Sequence, residues 1–93
     1  CIVRNCICDQ NGLGINNDGA GIHATGAGNR IEGNNVTRSD RGIDVDVGGN
    51  FIASNTAHGN TTNFSITGTQ TIGPIITATG TITTTIPTAN FSY

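Results

Sequence analysis

The chain has very few of the residues from which helices and charged surfaces are built. Among its 93 residues there is no lysine and no methionine, and glutamate occurs once, at Glu32. Glycine, asparagine and threonine dominate instead. Threonine and isoleucine suit pleated strands, whereas glycine and asparagine suit tight corners with left-handed backbone. This composition excludes long helices and predicts an all-β protein.

Charge and hydropathy exclude two further kinds of interaction. The formal net charge is −2, and the only basic residues are Arg4, Arg30, Arg38 and Arg41. A nucleic-acid ligand needs a basic stripe that neutralises phosphates, so we expect no nucleic-acid partner. No apolar run is long enough to cross a bilayer, so we expect no membrane span.

The chain begins at Cys1, in the middle of its sequence pattern, without an initiating methionine or a signal peptide. This favours the C-terminal part of a longer protein, or a mature product whose leader has been removed. The three cysteines, Cys1, Cys6 and Cys8, are odd in number and cannot all pair within the chain. We expect them to be small strand residues within the stack, and lipidation is an alternative for Cys1.

A period of 21 residues runs through the first two thirds of the chain. Ile22, Ile43 and Phe64 fall at one phase of it, and Gly-Asn-Arg-Ile at 28–31 recurs as Gly-Asn-Phe-Ile at 49–52. A fixed period with apolar residues in register indicates a solenoid, in which each repeat forms one coil. Each coil is predicted to contain three short strands, whose alternation directs these side chains inward: Ile22, Ala24, Ile31, Val36, Ile43, Val45, Ile52 and Ala57.

Two further features of the coils follow from the same alignment. Asn5, Asn34 and Asn55 are predicted to stack at one corner as a ladder of side-chain amides, because asparagine tolerates left-handed backbone and its amide can both donate and accept. The first coil is longer than the others, and its extra residues are assigned to an inserted loop at 12–20. Solenoids often carry such insertions on a binding face, although a loop without a role fits equally well.

The period fails after Ile66, and this divides the chain into two parts. Residues 1–67 are predicted to form about three coils. Residues 68–93 are rich in threonine and isoleucine and carry no charge. Terminal repeats of solenoids are atypical because the last coil exposes both its core and its strand edges. We therefore predict that residues 68–93 form an extended, Thr-rich tail that caps the coils or forms an oligomer contact.

The repeats resemble those of the right-handed parallel β-helix proteins, the pectate lyase-like superfamily that also contains polygalacturonases. The resemblance covers residues 1–67 and is carried by Gly-Ile-His-Ala at 21–24, Asn-Arg-Ile-Glu-Gly-Asn-Asn-Val at 29–36 and Arg-Gly-Ile-Asp-Val at 41–45. It implies a right-handed parallel β-helix that ends in a C-terminal cap. It does not imply an activity, since one fold hosts many functions.

The candidate site lies on the outward face of the strand that opens each coil. With Ile22 and Ala24 pointing inward, His23, Asp44 and Ser65 form one outward column, and Thr25, Asp46 and Thr67 form a second column beside it. Candidate ligand-binding residues are His23, Arg41, Asp44 and Asp46. Asp18, Asp44 and Asp46 are candidate ligands for Ca²⁺, a cation that prefers carboxylate oxygens.

The same columns could also be an ordinary polar face of a sheet, where alternation requires polar residues outward in any case. A Ser–His–Asp triad is excluded because Asp44 would lie between Ser65 and His23. The paired Asp and Gly-His-Gly motifs of polygalacturonases are missing, and Ala-His-Gly at 57–59 matches the last of these only in part.

The sequence favours a non-catalytic function. We predict a structural or adhesive β-helix segment of a secreted or cell-surface bacterial protein, which associates with itself and could bind polysaccharide. The alternative is a fragment of a Ca²⁺-dependent polysaccharide lyase or glycoside hydrolase that acts on acidic glycans. A trimeric segment of the phage tail-spike kind is a third possibility.

Overall fold

Every regular element in the described part of the chain is a β-strand. The structure is a computed structural model that describes residues 1–13, 19–77 and 79–93. The strands form three sheets in which all pairs of neighbours are parallel. The predicted all-β class is confirmed.

The sheets are built by strands that follow one another in rotation. Sheet A contains, in spatial order, β1 (Ile2–Arg4), β4 (Arg30–Glu32), β7 (Phe51–Ala53) and β10 (Thr71–Ile72). Sheet B contains β2 (Ile7–Asp9), β5 (Asn35–Thr37), β8 (Thr56–His58), β12 (Asn90–Ser92) and β11 (Ile75–Thr77). Sheet C contains β3 (Ala20–Ala24), β6 (Arg41–Val45) and β9 (Thr62–Ile66). We call three consecutive strands, one from each sheet, a level: β1–β3, β4–β6 and β7–β9 are levels one, two and three.

The register between levels follows the sequence period. Ile22 pairs with Ile43 and Ile43 with Phe64, so these three residues stack as expected. Ile31 pairs with Ile52 at the same interval of 21 residues. Between levels one and two the interval in sheets A and B is 28, as Ile2 pairs with Arg30. The additional residues fall within the predicted insertion at 12–20, of which residues 14–18 lie outside the described part.

The inward side chains form one continuous apolar core. All eight residues that were expected to point inward are buried, and those of level two and its neighbours are almost completely enclosed: Ile31, Val36, Ile43, Val45, Ile52 and Ala57. Val3 and Cys8 at level one, and Phe64 and Ile66 at level three, are only partly buried against this core. Full burial of an isoleucine side chain contributes about 2 kcal/mol, so the middle level contributes most to the stability of the stack.

One corner of the stack holds a ladder of buried side-chain amides. The Oδ1 atom of Asn55 accepts hydrogen bonds from both the backbone N–H and the Nδ2 of Asn34, each at 3.0 Å. Asn90 Oδ1 accepts in the same way from Asn55, at 3.1 and 3.0 Å. Asn55 Nδ2 also donates to the carbonyl of Ile31 at 3.0 Å. The predicted contact between Asn34 and Asn55 is therefore confirmed, and Asn90 extends it by one level.

The predicted place of Asn5 in this ladder is wrong. The alignment of the sequence set Ile2 opposite Ile31, whereas in the structure Val3 lies opposite Ile31. This shift by one residue puts Cys6 level with Asn34, and the backbone N–H of Cys6 donates to Asn34 Oδ1 at 3.1 Å. Asn5 instead has a left-handed backbone, with φ of 54°.

A second ladder at another corner was not predicted. Asn29 donates to Asn50 Oδ1 through its backbone N–H at 2.9 Å and through its Nδ2 at 3.0 Å. The backbone N–H of Asn50 donates to Gln70 Oε1 at 2.9 Å. The signal was present in the repeated Gly-Asn dipeptides at 28–29 and 49–50.

The position of the C-terminal strand in its sheet does not follow the order of the strands in the sequence. β10 and β11 follow β9 and extend sheets A and B, but β12 lies between β8 and β11. β12 can reach this position because residues 78–89 connect the end of β11 to the start of β12. Of these residues, Ala78 lies outside the described part. Ala89 and Asn90 are fully buried where the returning segment enters.

An exposed ion pair joins levels one and two at the edge of sheet B. Arg38 Nε donates to Asp9 Oδ1 at 2.7 Å, Arg38 also contacts Asp9 Oδ2, and Thr37 Oγ1 donates to Asp9 Oδ1 at 2.7 Å. The hydrogen bonds from Arg38, and then that from Thr37, lower the pKa of Asp9 to about 2. The Asp9 carboxylate therefore stays ionised at pH values at which an ordinary aspartate is already protonated.

Removal of the middle amide of the first ladder tests what the ladder contributes. Asn55→Leu keeps a similar volume but removes the acceptor of the buried Asn34 N–H and Nδ2 and the side-chain donor to the Ile31 carbonyl. We expect a loss of about 3 kcal/mol in the free energy of unfolding, measured with urea. Asn11→Leu, at an exposed position, is the matched control and should change stability by less than about 0.5 kcal/mol. Equal effects of the two substitutions would contradict the role of the ladder.

The Asp9 pair predicts a particular dependence of stability on pH. Because the pKa of Asp9 is lowered on folding, its contribution is complete above the ordinary pKa of aspartate and is lost as pH falls from about 4 to about 2. Arg38→Gln should return the pKa of Asp9 toward its ordinary value, measured by NMR titration of the carboxyl. Arg4→Gln changes the net charge equally and should leave the Asp9 titration in place; a shift in that variant would point to overall charge instead of the pair.

Candidate functional site

The outward face of sheet C carries the residues that the sequence singled out. His23 pairs with Asp44 and Asp44 with Ser65, so the three lie in one column across β3, β6 and β9. Asp46 lies just past the end of β6, and its backbone N–H donates to the Ala24 carbonyl at 3.0 Å. β3, β6 and β9 are each five residues long, and their register brings the outward residues of one strand beside those of the next.

Four of the candidate residues meet in one cluster, which we call the His23 cluster: His23, Arg41, Asp44 and Asp46. His23 Nε2 lies 2.8 Å from Asp46 Oδ2 and 3.7 Å from Asp44 Oδ2. Arg41 Nη1 donates to Asp44 Oδ2 at 2.9 Å. The Asp44 side chain is 4% exposed, whereas that of Asp46 is 49% exposed. Alternation alone would leave Asp44 in solvent; the flanking His23 and Arg41 cover it.

The His23 cluster has the ligand types of a cation site. One ligand atom from each of His23, Asp44 and Asp46 lies within 4.8 Å of the others. An imidazole nitrogen with two carboxylates is a donor set that Zn²⁺ accepts, whereas Ca²⁺ takes oxygen ligands. Arg41 already occupies Asp44 Oδ2, so a cation there would compete with the guanidinium. Asp18, the remaining predicted ligand, lies outside the described residues.

The arrangement does not form a nucleophilic triad. Ser65 is the neighbour of Asp44 in the sheet, and Asp44 separates it from His23 by one full strand. Neighbouring strands are about 4.8 Å apart, so Ser65 and His23 are about two spacings from each other, beyond hydrogen-bond reach. The strand register therefore agrees with the prediction that His23, Asp44 and Ser65 do not form a catalytic triad.

Next to the His23 cluster lies a hollow that the sequence did not predict. Its volume is about 350 Å³, and it opens between β1 and β3. Val3, Ile22 and Ile31 contribute apolar lining, while His23 and Asn29 are among its polar residues.

The hollow belongs to a larger surface, which we call the open end. β1, β2 and β3 are each the outermost strand of their sheet, and all three lie at the same end of the stack. Ile2 is 65% exposed and Ile7 is 80% exposed. Among the described residues, the open end therefore presents three strand edges that end flush, at the same level, with large apolar side chains beside them.

The cysteines occupy defined positions at the open end. Cys1 and Cys6 lie level with Asn29 and Asn34, so they take the places of the next amides in the two ladders. Both are exposed, and all three thiols are free. Cys8 pairs with Val36 and faces the core. Burial, followed by the nearby Cys6, raises the pKa of the Cys8 thiol.

No protein-family model matches the chain, and neither does any curated protein or solved structure with which it was compared. Within the described residues, no helix combines the length and the apolar character that crossing a membrane would require. The functional argument therefore depends on the geometry of the His23 cluster and of the open end.

The unequal burial of the two aspartates makes a prediction about the His23 cluster. Asp44→Asn removes the charge that the Arg41 guanidinium contacts at a nearly enclosed position, so we expect a loss of about 1–3 kcal/mol in the free energy of unfolding. Asp46→Asn makes the same chemical change at a half-exposed position and should cost less than about 1 kcal/mol. Urea unfolding of both variants measures the difference. A larger loss for Asp46→Asn would show that the contact with Arg41 contributes little.

Proposed function

We propose that this chain is a structural, non-catalytic segment, a right-handed parallel β-helix of about three coils that associates with a second copy through its open end. The observation that carries the proposal is the flush set of three edges, β1, β2 and β3, which have no further partner strand among the described residues and lie beside the exposed Ile2 and Ile7. A secreted or cell-surface location belongs to the same proposal.

The β-helix part of the proposal is supported by the rotation of the strands through three parallel sheets. Up to β10, the chain adds one strand to each of the three sheets in turn and then comes back to the first sheet. The apolar residues repeat in register between successive levels. Parallel crossovers in a sheet are right-handed in nearly all proteins, which supports the right-handed form.

The association part is supported by the contrast between the two ends of the stack. At the open end all three sheets terminate at the same level. At the far end they terminate at different heights, because sheet B continues through β12 and β11 whereas sheet C ends at β9. A flush end fits a second flush end but not a stepped one, so the contact joins two open ends about a twofold axis.

Unpaired strand edges give this contact its chemistry. Edge strands present free N–H and C=O groups that pair readily with another chain, and exposed β-branched residues beside them add apolar area. Charged side chains at an edge oppose such pairing. The ionisable side chains of β1, β2 and β3 besides Cys8 are Arg4, Asp9 and His23, and both Asp9 and His23 have a partner of opposite charge type, Arg38 and Asp46.

The His23 cluster supports the non-catalytic function better than an enzymatic one. Asp44 is paired with Arg41, and Asp46 lies at hydrogen-bond distance from His23. Each carboxylate therefore has a partner within the sheet face, as expected of a satisfied polar surface. A general acid and base for glycan cleavage would need a carboxyl group free to reach a substrate.

Sedimentation over a range of concentrations tests the proposed contact. We expect a reversible equilibrium between monomer and dimer, which Ile7→Asp weakens at least tenfold in Kd, because the change places a charge beside an edge that must pair. Tenfold corresponds to about 1.4 kcal/mol. Ile82→Asp introduces the same charge at an exposed position of the tail and should leave the equilibrium unchanged.

Two results would contradict the proposal. A well-folded monomer at every concentration would remove the association. Cleavage of pectin or alginate that requires Ca²⁺ and is lost in Asp44→Ala would favour the enzymatic alternative, a polysaccharide lyase or hydrolase.

A further inference from the structure

In sheet B, the last strand of the chain occupies a position between two strands that precede it in the sequence. β12 lies between β8 and β11, although β11 precedes it in the sequence. Phe91 pairs with Thr56 of β8 on one side and with Ile76 of β11 on the other. The last strand is thus held by backbone hydrogen bonds along both of its edges, as a peptide is when it is inserted between two strands.

The site, which we call the acceptor groove, has specific contacts as well as strand edges. Asn90 Nδ2 donates to the Gly73 carbonyl at 2.8 Å, and Asn90 Oδ1 accepts from the Asn55 amide ladder. Ser54 Oγ donates to the Pro87 carbonyl at 2.9 Å. At the end of the segment, the Tyr93 ring stacks on His58 with 4.5 Å between centroids.

Gly73 makes room for the inserted segment. A Cβ atom at this position would lie 1.7 Å from the carbonyl oxygen of Thr88, which is backbone and cannot move aside. The same glycine donates its N–H to the Ile52 carbonyl at 2.9 Å, a bond that alanine would keep. A methyl group at residue 73 therefore blocks the acceptor groove without removing that bond.

The connection between β11 and β12 allows the inserted segment to come from elsewhere. Residues 79–88 are all exposed, in contrast to the buried Ala89 and Asn90 that follow them. Twelve residues separate β11 from β12 (78–89), and a chain of that length spans up to about 40 Å when extended. This exceeds the longest dimension of the molecule, 37 Å.

From these observations we infer that the acceptor groove takes residues 87–93 of a second copy in exchange for its own. The exchanged segment makes the same ladder, edge and ring contacts in either molecule, so only the loss of independent motion opposes exchange. A tethered segment has an effective concentration in the millimolar range, so exchange becomes populated at high local concentration of chains or on refolding. The inference uses the end of the stack opposite the open end and does not depend on the contact proposed there.

Two complementary variants of the full chain test the exchange. Asn90→Leu damages the inserted segment and leaves the groove intact, whereas Gly73→Ala blocks the groove and leaves the segment intact. In ¹⁵N-labelled Asn90→Leu alone, the Asn55 amide should lose at least about tenfold in protection from hydrogen exchange. Addition of unlabelled Gly73→Ala chain should restore that protection, because its intact segment enters the empty groove.

The matched control is the double variant Gly73→Ala with Asn90→Leu, which lacks an intact segment and should restore nothing. Both single variants are also made with Ile7→Asp, which removes the open-end contact, and restoration should persist. Loss of restoration only in that background would show that the open end had brought the chains together. Failure of restoration in every background, with both variants folded, would overturn the inference.

A measurement on the unmodified chain decides the matter if a variant does not fold. Tagged and untagged chains are unfolded together, refolded at high concentration and then diluted. We expect mixed dimers that persist after dilution, and no mixed dimers that persist after dilution when the chains are combined without unfolding. Complete recovery of monomers after refolding would overturn the exchange.

Discussion

The stack depends on the buried amides that satisfy its corners. A chain that turns from one sheet to the next removes backbone N–H and C=O groups from the ladders of strand hydrogen bonds, and buried groups of this kind must find other partners. Asn34, Asn55 and Asn90 provide those partners at one corner: each accepts from the backbone of the preceding level and donates to one of its carbonyls. Among the described residues no buried side-chain nitrogen or oxygen lacks a hydrogen-bond partner. Apolar stacking without these amides would leave the corners unsatisfied.

The same amides explain why the period is constant in levels two and three yet tolerates an insertion in level one. An amide ladder fixes each corner residue relative to the corner residues of the neighbouring levels. Where the segment between two corners packs in the stack, it must therefore have the same number of residues in each level. The predicted insertion at 12–20 follows β2 and extends to the first residue of β3, beyond the ladder position of Cys6 and before the core position of Ile22. The register is therefore restored at Ile22, which pairs with Ile43 as the regular period requires.

The sequence predicted what repeats and missed what occurs once. Ile22, Ile43 and Phe64 were placed correctly because three copies of one pattern fix the phase. Asn5 was misplaced because the first level offers a single copy with a different length, and an error of one residue cannot be detected there. The position of β12 has no repeat to reveal it, although an asparagine at the start of a short strand, as at Asn90, was the available signal. The meeting of His23 with Asp46 followed from alternation and register, but the burial of Asp44 depends on where Arg41 points, which no periodicity specifies.

The two ends of the stack differ in a way that limits how far assembly can extend. In the proposed contact two flush ends meet about a twofold axis, so stacking through this contact alone closes at two chains. The far end would have to present three edges at one height to continue the stack into a fibre, and the extra strands of sheet B prevent this. Asn90 is the residue that fixes those extra strands, because it continues the amide ladder into the returning segment. The interaction that satisfies the corners within one chain is thereby also the one that makes the far end stepped, and so it opposes growth by end-to-end stacking.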